Sequence, residues 1–352
     1  MPLRVVRLLL LICFACRAWA TGEALPDLPD PLGRAGMMAA VLKDSDGQEI
    51  ILAAGGSNFP GKMPWDGGVK AFYADIFLLK KTDGKWAWRK VGMLPTPNAY
   101  AGFAATPARD GLVIAGGCNA DGHLADVLVV RPDGKCAPFG PKLNDPRAYA
   151  GCFTLGTRLA LTGGTLSATA TSTLGNMTVL DLAHPEGGWK SSDVKEEFAR
   201  ILPLVGADDH GTAIWLGGCA LSDDHGKPFR DYRDTLTYSA QNNQGNRFHA
   251  LATPLAASAG PGVAAGAHLF FVGGDDGKHY GKPPASHPGQ TTQVLMVDTE
   301  TFETQVVDHW PHPIATAPLL RLGDDLVTIS GETRPGVRTP ACTRWTIPTK
   351  LR

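Results

Sequence analysis

The sequence predicts an all-β chain folded as a six-bladed, kelch-type β-propeller, and three observations carry that expectation. Six times a short apolar run ends in a small-residue pair: Gly55-Gly56, Gly116-Gly117, Gly163-Gly164, Gly217-Gly218, Gly273-Gly274 and the variant Ser330-Gly331. The first members of these pairs are 61, 47, 54, 56 and 57 residues apart, which suits one four-stranded blade with loops of varying length rather than a solenoid repeat. The 352 residues are 43% hydrophobic and include 42 Gly and 27 Pro, enough apolar material for a large core and too many turn formers for long helices.

Each repeat reads in the same order. A first strand such as Gly36 to Leu42 or Gly151 to Leu155 meets a tight turn, and a second such as Ile50 to Ala54 or Leu159 to Thr162 runs into the glycine pair. The third is typified by Ala74 to Leu79 and Gln293 to Asp298, and the fourth often carries tryptophan, as in Lys85-Trp86-Ala87-Trp88 and Gly188-Trp189-Lys190. Aromatics there are expected to pack between neighbouring blades. The last repeat has strands near Ala315 to Leu320, Leu326 to Ser330 and Thr343 to Ile347, after which only five residues remain. Residues 22 to 28 are expected to supply its missing fourth strand, since Leu25-Pro26-Asp27-Leu28-Pro29 resembles the Met93-Leu94-Pro95 end of another fourth strand. An N-terminal strand completing the last blade would close the ring and leave no open edge.

The first 20 residues are set apart from the fold. Arg4 and Arg7 precede the apolar run Leu8 to Ala15, and Ala18-Trp19-Ala20 offers small residues at the cleavage positions, the pattern of a secretory signal peptide too short to span a bilayer. Residues 1–20 are therefore expected to be a signal peptide, 21–352 a single propeller domain, and the mature protein periplasmic or secreted. Cys16 leaves a lipoprotein anchor as an alternative. The remaining cysteines, Cys118, Cys136, Cys152, Cys219 and Cys342, are odd in number and contain no C-x-x-C pair, so they form neither a disulfide framework nor a zinc site. Cys118 and Cys136 could bridge within one repeat; the alternative is that all are small buried residues.

A formal charge of −1 with no long Lys/Arg cluster points away from nucleic acid and from anionic membrane surfaces, leaving a small-molecule partner. Loop lengths locate the working face. The turns between first and second strands are short (Gly156-Thr157, Gly266-Ala267, Gly323-Asp324), whereas the loops after the second strands are long: Ser57 to Phe72, Thr165 to Gly175, Ala220 to Asp231 and Asp275 to Gln290. Long loops on a rigid scaffold carry binding groups. The glycine pairs themselves read as fold markers that allow close backbone approach, and none opens a G-x-G-x-x-G turn into a helix.

One loop is chemically distinct. Gly331-Glu332-Thr333-Arg334-Pro335-Gly336-Val337-Arg338-Thr339 places a carboxylate and two guanidinium groups close together, and Pro335-Gly336 can fold Arg338 back toward Glu332. The same spacing would serve a solvent-facing salt bridge. Further candidates on the same face are Asn58 and Trp65 in the first long loop, Tyr100 and Tyr149 before two first strands, and Arg34 and Arg147 beside them; packing is the alternative for the tyrosines, and bridging of blades for Arg147. The ten histidines are scattered without a ligand-type arrangement, so neither a metal nor a copper-oxidase set is expected.

At these residues the chain resembles the kelch-type N-acetylneuraminate epimerases, the sialic acid mutarotases. The resemblance rests on residues 331–339, on Ala99-Tyr100-Ala101-Gly102, and on Ala54-Gly55-Gly56-Ser57-Asn58-Phe59-Pro60 through Met63-Pro64-Trp65-Asp66-Gly67-Gly68. The Glu-containing repeat comes last here and fourth in the common form, so the chain is similar to the cyclically permuted mutarotase subgroup; Asn98 stands where the related connections often have Gly-Arg. The resemblance implies interconversion of the α and β anomers of N-acetylneuraminic acid without a cofactor, with Glu332 and Arg338 catalytic. Arg334, Asn58, Trp65, Tyr100, Arg147, Tyr149 and Arg34 are the candidate substrate contacts. Opening a cyclic hemiketal requires one proton removed from the anomeric hydroxyl and one delivered to the ring oxygen. Glu332 suits that exchange, while Arg338 could clamp the sugar carboxylate or stabilise oxyanion charge. The alternative is a non-catalytic kelch propeller binding an acidic glycan or a protein.

Overall fold

The computed structural model describes residues 24–193, 199–224, 227–233, 235–240 and 247–352. The segment expected to be a signal peptide, with its cleavage site and Cys16, lies outside them. The described residues are all-β apart from short 3-10 turns, and no helix among them is long and apolar enough to cross a membrane. Five antiparallel meanders form blades of a β-propeller. The first comprises Ala35–Lys43, Glu49–Asn58, Asp75–Thr82 and Lys85–Met93, with Ala71–Phe72 paired beside the end of the second strand. The second is Gly102–Ala105, Leu112–Ala115, Val127–Val130 and Cys136–Pro138; the third is Gly151–Leu155, Arg158–Thr162, Asn176–Asp181 and Lys190–Asp193. The fourth is Leu204–Ala207, Thr212–Leu216, Thr235–Ala240 and Arg247–Ala250, and the fifth Ala259–Ala265, His268–Val272, Gln293–Asp298 and Thr304–His309.

The last repeat departs from the expected sixth four-stranded blade. Its sheet has three strands, Leu319–Leu322, Asp325–Arg334 and Val337–Thr346, and residues 24–34 run beside it without forming a strand. The physical reason is the run of prolines. Pro26, Pro29 and Pro31 have no N–H to donate, and Pro340 opposite lacks one too, so a regular ladder cannot form. What remains is one backbone bond, Leu28 N–H to Pro340 O at 2.9 Å, with Leu25 and Leu28 buried against Met37, Val41, Leu320 and Ile329. Trp88, one of the fourth-strand tryptophans, donates its indole N–H to Pro26 O at 2.9 Å and holds this segment.

Two long loops are also more regular than the sequence suggested. Residues 219–232 include a separate hairpin, Cys219–Asp224 paired with Lys227–Tyr232. The distinctive 331–339 segment is the tip of a long hairpin that continues the second and third strands of the last sheet.

The glycine pairs make the joint between one sheet and the next. In five repeats the N–H of the second glycine donates to the carbonyl of the residue entering the following repeat: Gly56 to Asn98 O (2.9 Å), Gly117 to Arg147 O (2.7 Å), Gly164 to Arg200 O (2.7 Å), Gly218 to Leu255 O (2.8 Å) and Gly274 to Ile314 O (2.8 Å). A Cβ on the first glycine would lie 1.8–2.5 Å from that same carbonyl, so any side chain there pushes the sheets apart. The first glycine's own carbonyl is occupied by a side chain leading into its sheet: Arg34 on Gly55, Asn98 on Gly116, Arg147 on Gly163, Arg200 on Gly217 and Ser258 on Gly273. Asn98 thus does with a short amide what the arginines do with a long fork.

The variant pair is a different joint. Ser330 adopts φ 55°, accepts the Arg34 N–H at 2.7 Å and donates to Thr339 O at 2.6 Å. Nearer the axis, Gly36, Tyr100, Tyr149, Leu202, Ala257 and Thr316 all have φ between 50° and 66°. Each donates its N–H to the carbonyl of the preceding member at 2.8–3.2 Å, and Gly36 donates to Thr316. Five of these are non-glycine residues in a left-handed conformation that costs roughly 1–2 kcal/mol each, which the inter-sheet bonds offset.

Gly163→Ala should separate joint from turn chemistry. Gly47 has φ +77° and nothing within 4 Å of an added Cβ, whereas at Gly163, with φ +66°, the Cβ would fall 2.1 Å from Arg200 O. Gly47→Ala is expected to cost about 1–2 kcal/mol and Gly163→Ala about 2 kcal/mol more from overpacking; equal losses in urea melts would contradict the joint. Removing residues 24–33 should lower the melting temperature sharply, because burial of two leucines alone is worth about 3–6 kcal/mol. An unchanged melting curve would show that this segment does not hold the last sheet.

Candidate functional site

The residue immediately after each glycine pair is held by an antiparallel bridge to the residue leading its own sheet: Ser57 opposite Ala35, Cys118 opposite Ala99, Thr165 opposite Ala148, Cys219 opposite Ile201, Asp275 opposite Ala256 and Glu332 opposite Ala315. These six positions are equivalent, and they lie where the chain enters the long loops. Ser57, Cys118, Thr165 and Cys219 are buried, whereas the two carboxylates, from consecutive repeats, are partly exposed. The fold therefore presents its acidic pair at the accessible sector of this layer.

Glu332 and Arg338 are opposite each other in the hairpin register, so the turn at Pro335-Gly336 does bring them together. Arg338 Nη1 lies 2.9 Å from Glu332 Oε2, with side chains 3% and 16% exposed respectively. Arg338 Nε is buried with no hydrogen-bond partner, and the guanidinium sits 5.0 Å from the centroid of Phe59. Burial pushes the Glu332 carboxyl above its ordinary value of 4.5; Arg338, Lys70 and the Gly336 backbone oppose the rise, and repulsion from Asp275 adds to it. Such a carboxyl can both take up and release a proton closer to neutrality than a solvated one.

Trp65 and Arg334 join this hairpin. Trp65 lies in the 3-10 turn Pro64–Asp66, and the Arg334 guanidinium is 5.8 Å from its ring while donating to Ala285 O at 3.0 Å. Gly336 has φ +84° and passes so near that a Cβ would be 2.9 Å from Pro64, which seats the first long loop on the hairpin turn. Tyr100 and Tyr149 have ring centroids 4.7 Å apart and line a central cavity with Leu202, Ala257 and Thr316. The Tyr149 hydroxyl is 3.7 Å from Cys118 Sγ, and His123 beside it is 3.0 Å from Thr165 Oγ1.

Three expected contacts are occupied elsewhere. Arg34 is 4% exposed, paired with Asp30 (2.8 Å) and Asp75 (2.7 Å) and stacked 3.9 Å over Tyr73. Asn58 donates to Gly33 O and accepts from the Tyr73 hydroxyl at 2.7 Å. Arg147 donates to Asn176 Oδ1 at 2.6 Å and to Gly163 O, and burial brings its guanidinium down to about 10. All three serve the sheets: Arg34 and Arg147 precede first strands and face the joint, whereas Asn58, at the end of a second strand, ties Gly33 to Tyr73. Among the described residues the cysteines are free, so Cys118 and Cys136 are unbridged; four are small buried residues and Cys136 is half-buried, and burial raises Cys152 to about 11 and Cys342 to about 12, which leaves those two thiols inert.

Sequence reading missed Asp275 and Lys70. Asp275 accepts the Tyr232 hydroxyl and the Gly277 N–H, each at 2.9 Å, and its offset from the glycine pair, identical to that of Glu332, could have found it. Lys70 carries no such signal. Its Nζ lies 5.4 Å from the Tyr100 ring centroid and 5.9 Å from those of Phe59 and Phe72.

No family model matches the chain, and no curated protein matches it. Among solved structures the chain is similar to that of YjhT, with a TM-score of 0.66 at 14% identity over 92% of this chain and 97% of that one. At that identity the likeness shows the β-propeller fold and nothing finer.

Proposed function

We propose that this chain is a cofactor-independent sugar mutarotase that interconverts the α and β anomers of N-acetylneuraminic acid, exported to the periplasm or beyond after loss of residues 1–20. The observation that carries the reading is the Glu332 carboxyl, raised in proton affinity and set 2.9 Å from Arg338 at the partly exposed end of the glycine-pair layer. The sequence resemblance supplies the substrate. In this reading the last, three-stranded sheet acts as the sixth blade of a kelch-type ring in permuted order. The hydrogen bond from Gly36 to Thr316, the Ser330 joint and the Leu28 to Pro340 bond support that closure.

Chemistry follows from one proton route. Glu332 removes the proton of the anomeric hydroxyl as its C–O bond becomes the ketone, the ring C–O bond breaks, and the ring oxygen takes up a proton. Rotation about the exposed carbon–carbon bond presents the other face, and reclosure reverses each transfer. Arg338 beside the carboxylate stabilises the negative charge that develops on oxygen during opening and closing.

The test is proton NMR of freshly released α-N-acetylneuraminate with and without the purified protein, following the approach to anomeric equilibrium. Acceleration by the wild type is expected, and Glu332→Gln should lower kcat by roughly 10²- to 10⁴-fold with the fold intact. Arg338→Lys should also lower the rate, because a point charge does not reproduce the planar fork. Full activity in Glu332→Gln would refute the site, equal acceleration of glucose would indicate a generic aldose mutarotase, and binding without acceleration would favour a lectin-like propeller.

A further inference from the structure

Among the described residues three cations belong to or face the Glu332 hairpin: Arg338 is paired with the carboxylate, Arg334 is engaged by Ala285 O and the Trp65 face, and Lys70 has neither a carboxylate nor a carbonyl partner. Arg338 is tied to Glu332 at 2.9 Å. Lys70 lies near the end of the first long loop, directly before Ala71–Phe72, which pairs with Ser57 and Asn58. Its ammonium group rests against the faces of Phe59, Phe72 and Tyr100 at 5.4–5.9 Å. Among the described residues it meets no carboxylate within ion-pair distance and no hydrogen-bond acceptor. Phe59 also faces Arg338 at 5.0 Å, so Arg338 and Lys70 flank one ring, and the charge of Lys70 reaches both Glu332 and Cys118. Lys70 is partly exposed. Its N–H donors are therefore free for an anion entering beside Glu332, while the three rings hold the ammonium in place by cation–π attraction.

We propose that Lys70 is the group that binds the carboxylate of the sugar acid, which leaves Arg338 to act on Glu332 and the oxyanion; this deepens the mutarotase reading and rests on it. Arg338 is a poor clamp because its charge is already balanced and its buried Nε has no access to solvent. An ammonium is a point charge able to follow the carboxylate as the ring opens and the carbon beside it becomes planar. The aromatic faces around it offer the apolar side of the sugar a surface to pack on. Lys70 thereby sets preference for an acid over a neutral sugar without taking part in proton transfer.

The experiment compares N-acetylneuraminate with its methyl ester for the wild type, Lys70→Met and Lys70→Arg, measuring KM and kcat by anomer exchange and Kd by titration calorimetry. Lys70→Met is expected to weaken the acid about 10- to 100-fold in KM and Kd, the range of one charge-assisted hydrogen bond. The ester should change by less than about twofold, kcat for the acid should hold within a few-fold, and Lys70→Arg should restore most of the acid preference. Equal weakening of acid and ester would show that Lys70 only shapes the pocket and would overturn the proposal, as would an unaltered acid Kd. A wild type that prefers the acid in calorimetry but accelerates no exchange would refute the mutarotase reading while leaving the Lys70 assignment to be decided by the same Kd values.

Discussion

The constraint on which the rest depends is the approach of one carbonyl to one glycine. At five joints the carbonyl entering the next repeat occupies the space a Cβ would need, 1.8–2.5 Å away, and is held by the N–H of the adjacent glycine. That contact fixes the spacing of neighbouring sheets more tightly than apolar packing could, since side chains on sheet faces can repack by changing rotamer. It also requires left-handed backbone at both glycines, a conformation nearly free to glycine and strained for other residues.

The site inherits its geometry from this joint. Because the residue after each pair is bridged back to the residue leading its own sheet, its Cα cannot drift, and a side chain placed there is presented in the same way in every repeat. Four repeats use the position for small, buried side chains; two use it for Asp275 and Glu332. The Glu332 carboxyl is then desolvated by the loops above it and steadied by Arg338 from the facing strand. Burial raises the proton affinity of the carboxyl and Arg338 lowers it, and the net direction is a rise.

The recurring glycine pair, the strand order within a blade and the meeting of Glu332 with Arg338 were legible in the sequence, because glycine pairs, apolar runs and a Pro-Gly turn all report local backbone physics; six four-stranded blades were expected and five are present. The last sheet was misread where proline stood in a run that looked like a strand; apolar patterning at Leu25 and Leu28 gives burial correctly but does not give a ladder when Pro26, Pro29 and Pro340 have no N–H. Asn58, Arg34 and Arg147 have internal partners that the sequence did not announce, Asn58 on Gly33 and Tyr73 and the two arginines on glycine-pair carbonyls. A polar residue beside a first strand can face solvent or the carbonyl of a glycine, and only the register of the joint decides. Lys70 was invisible because no spacing encodes the meeting of its ammonium with Phe59 and Phe72 of its own loop and with Tyr100 of the next repeat.

The central claim is that Glu332 transfers the proton in anomer exchange from a carboxyl whose affinity is raised by burial. The most direct measurement is the pH dependence of the exchange rate, wild type against Glu332→Gln. With Glu332 as the base, the rate should be low where the carboxyl is protonated and rise with pH through a midpoint above the ordinary 4.5, and that limb should vanish in Glu332→Gln. A midpoint at or below 4.5, or the same limb persisting in the variant, would contradict it.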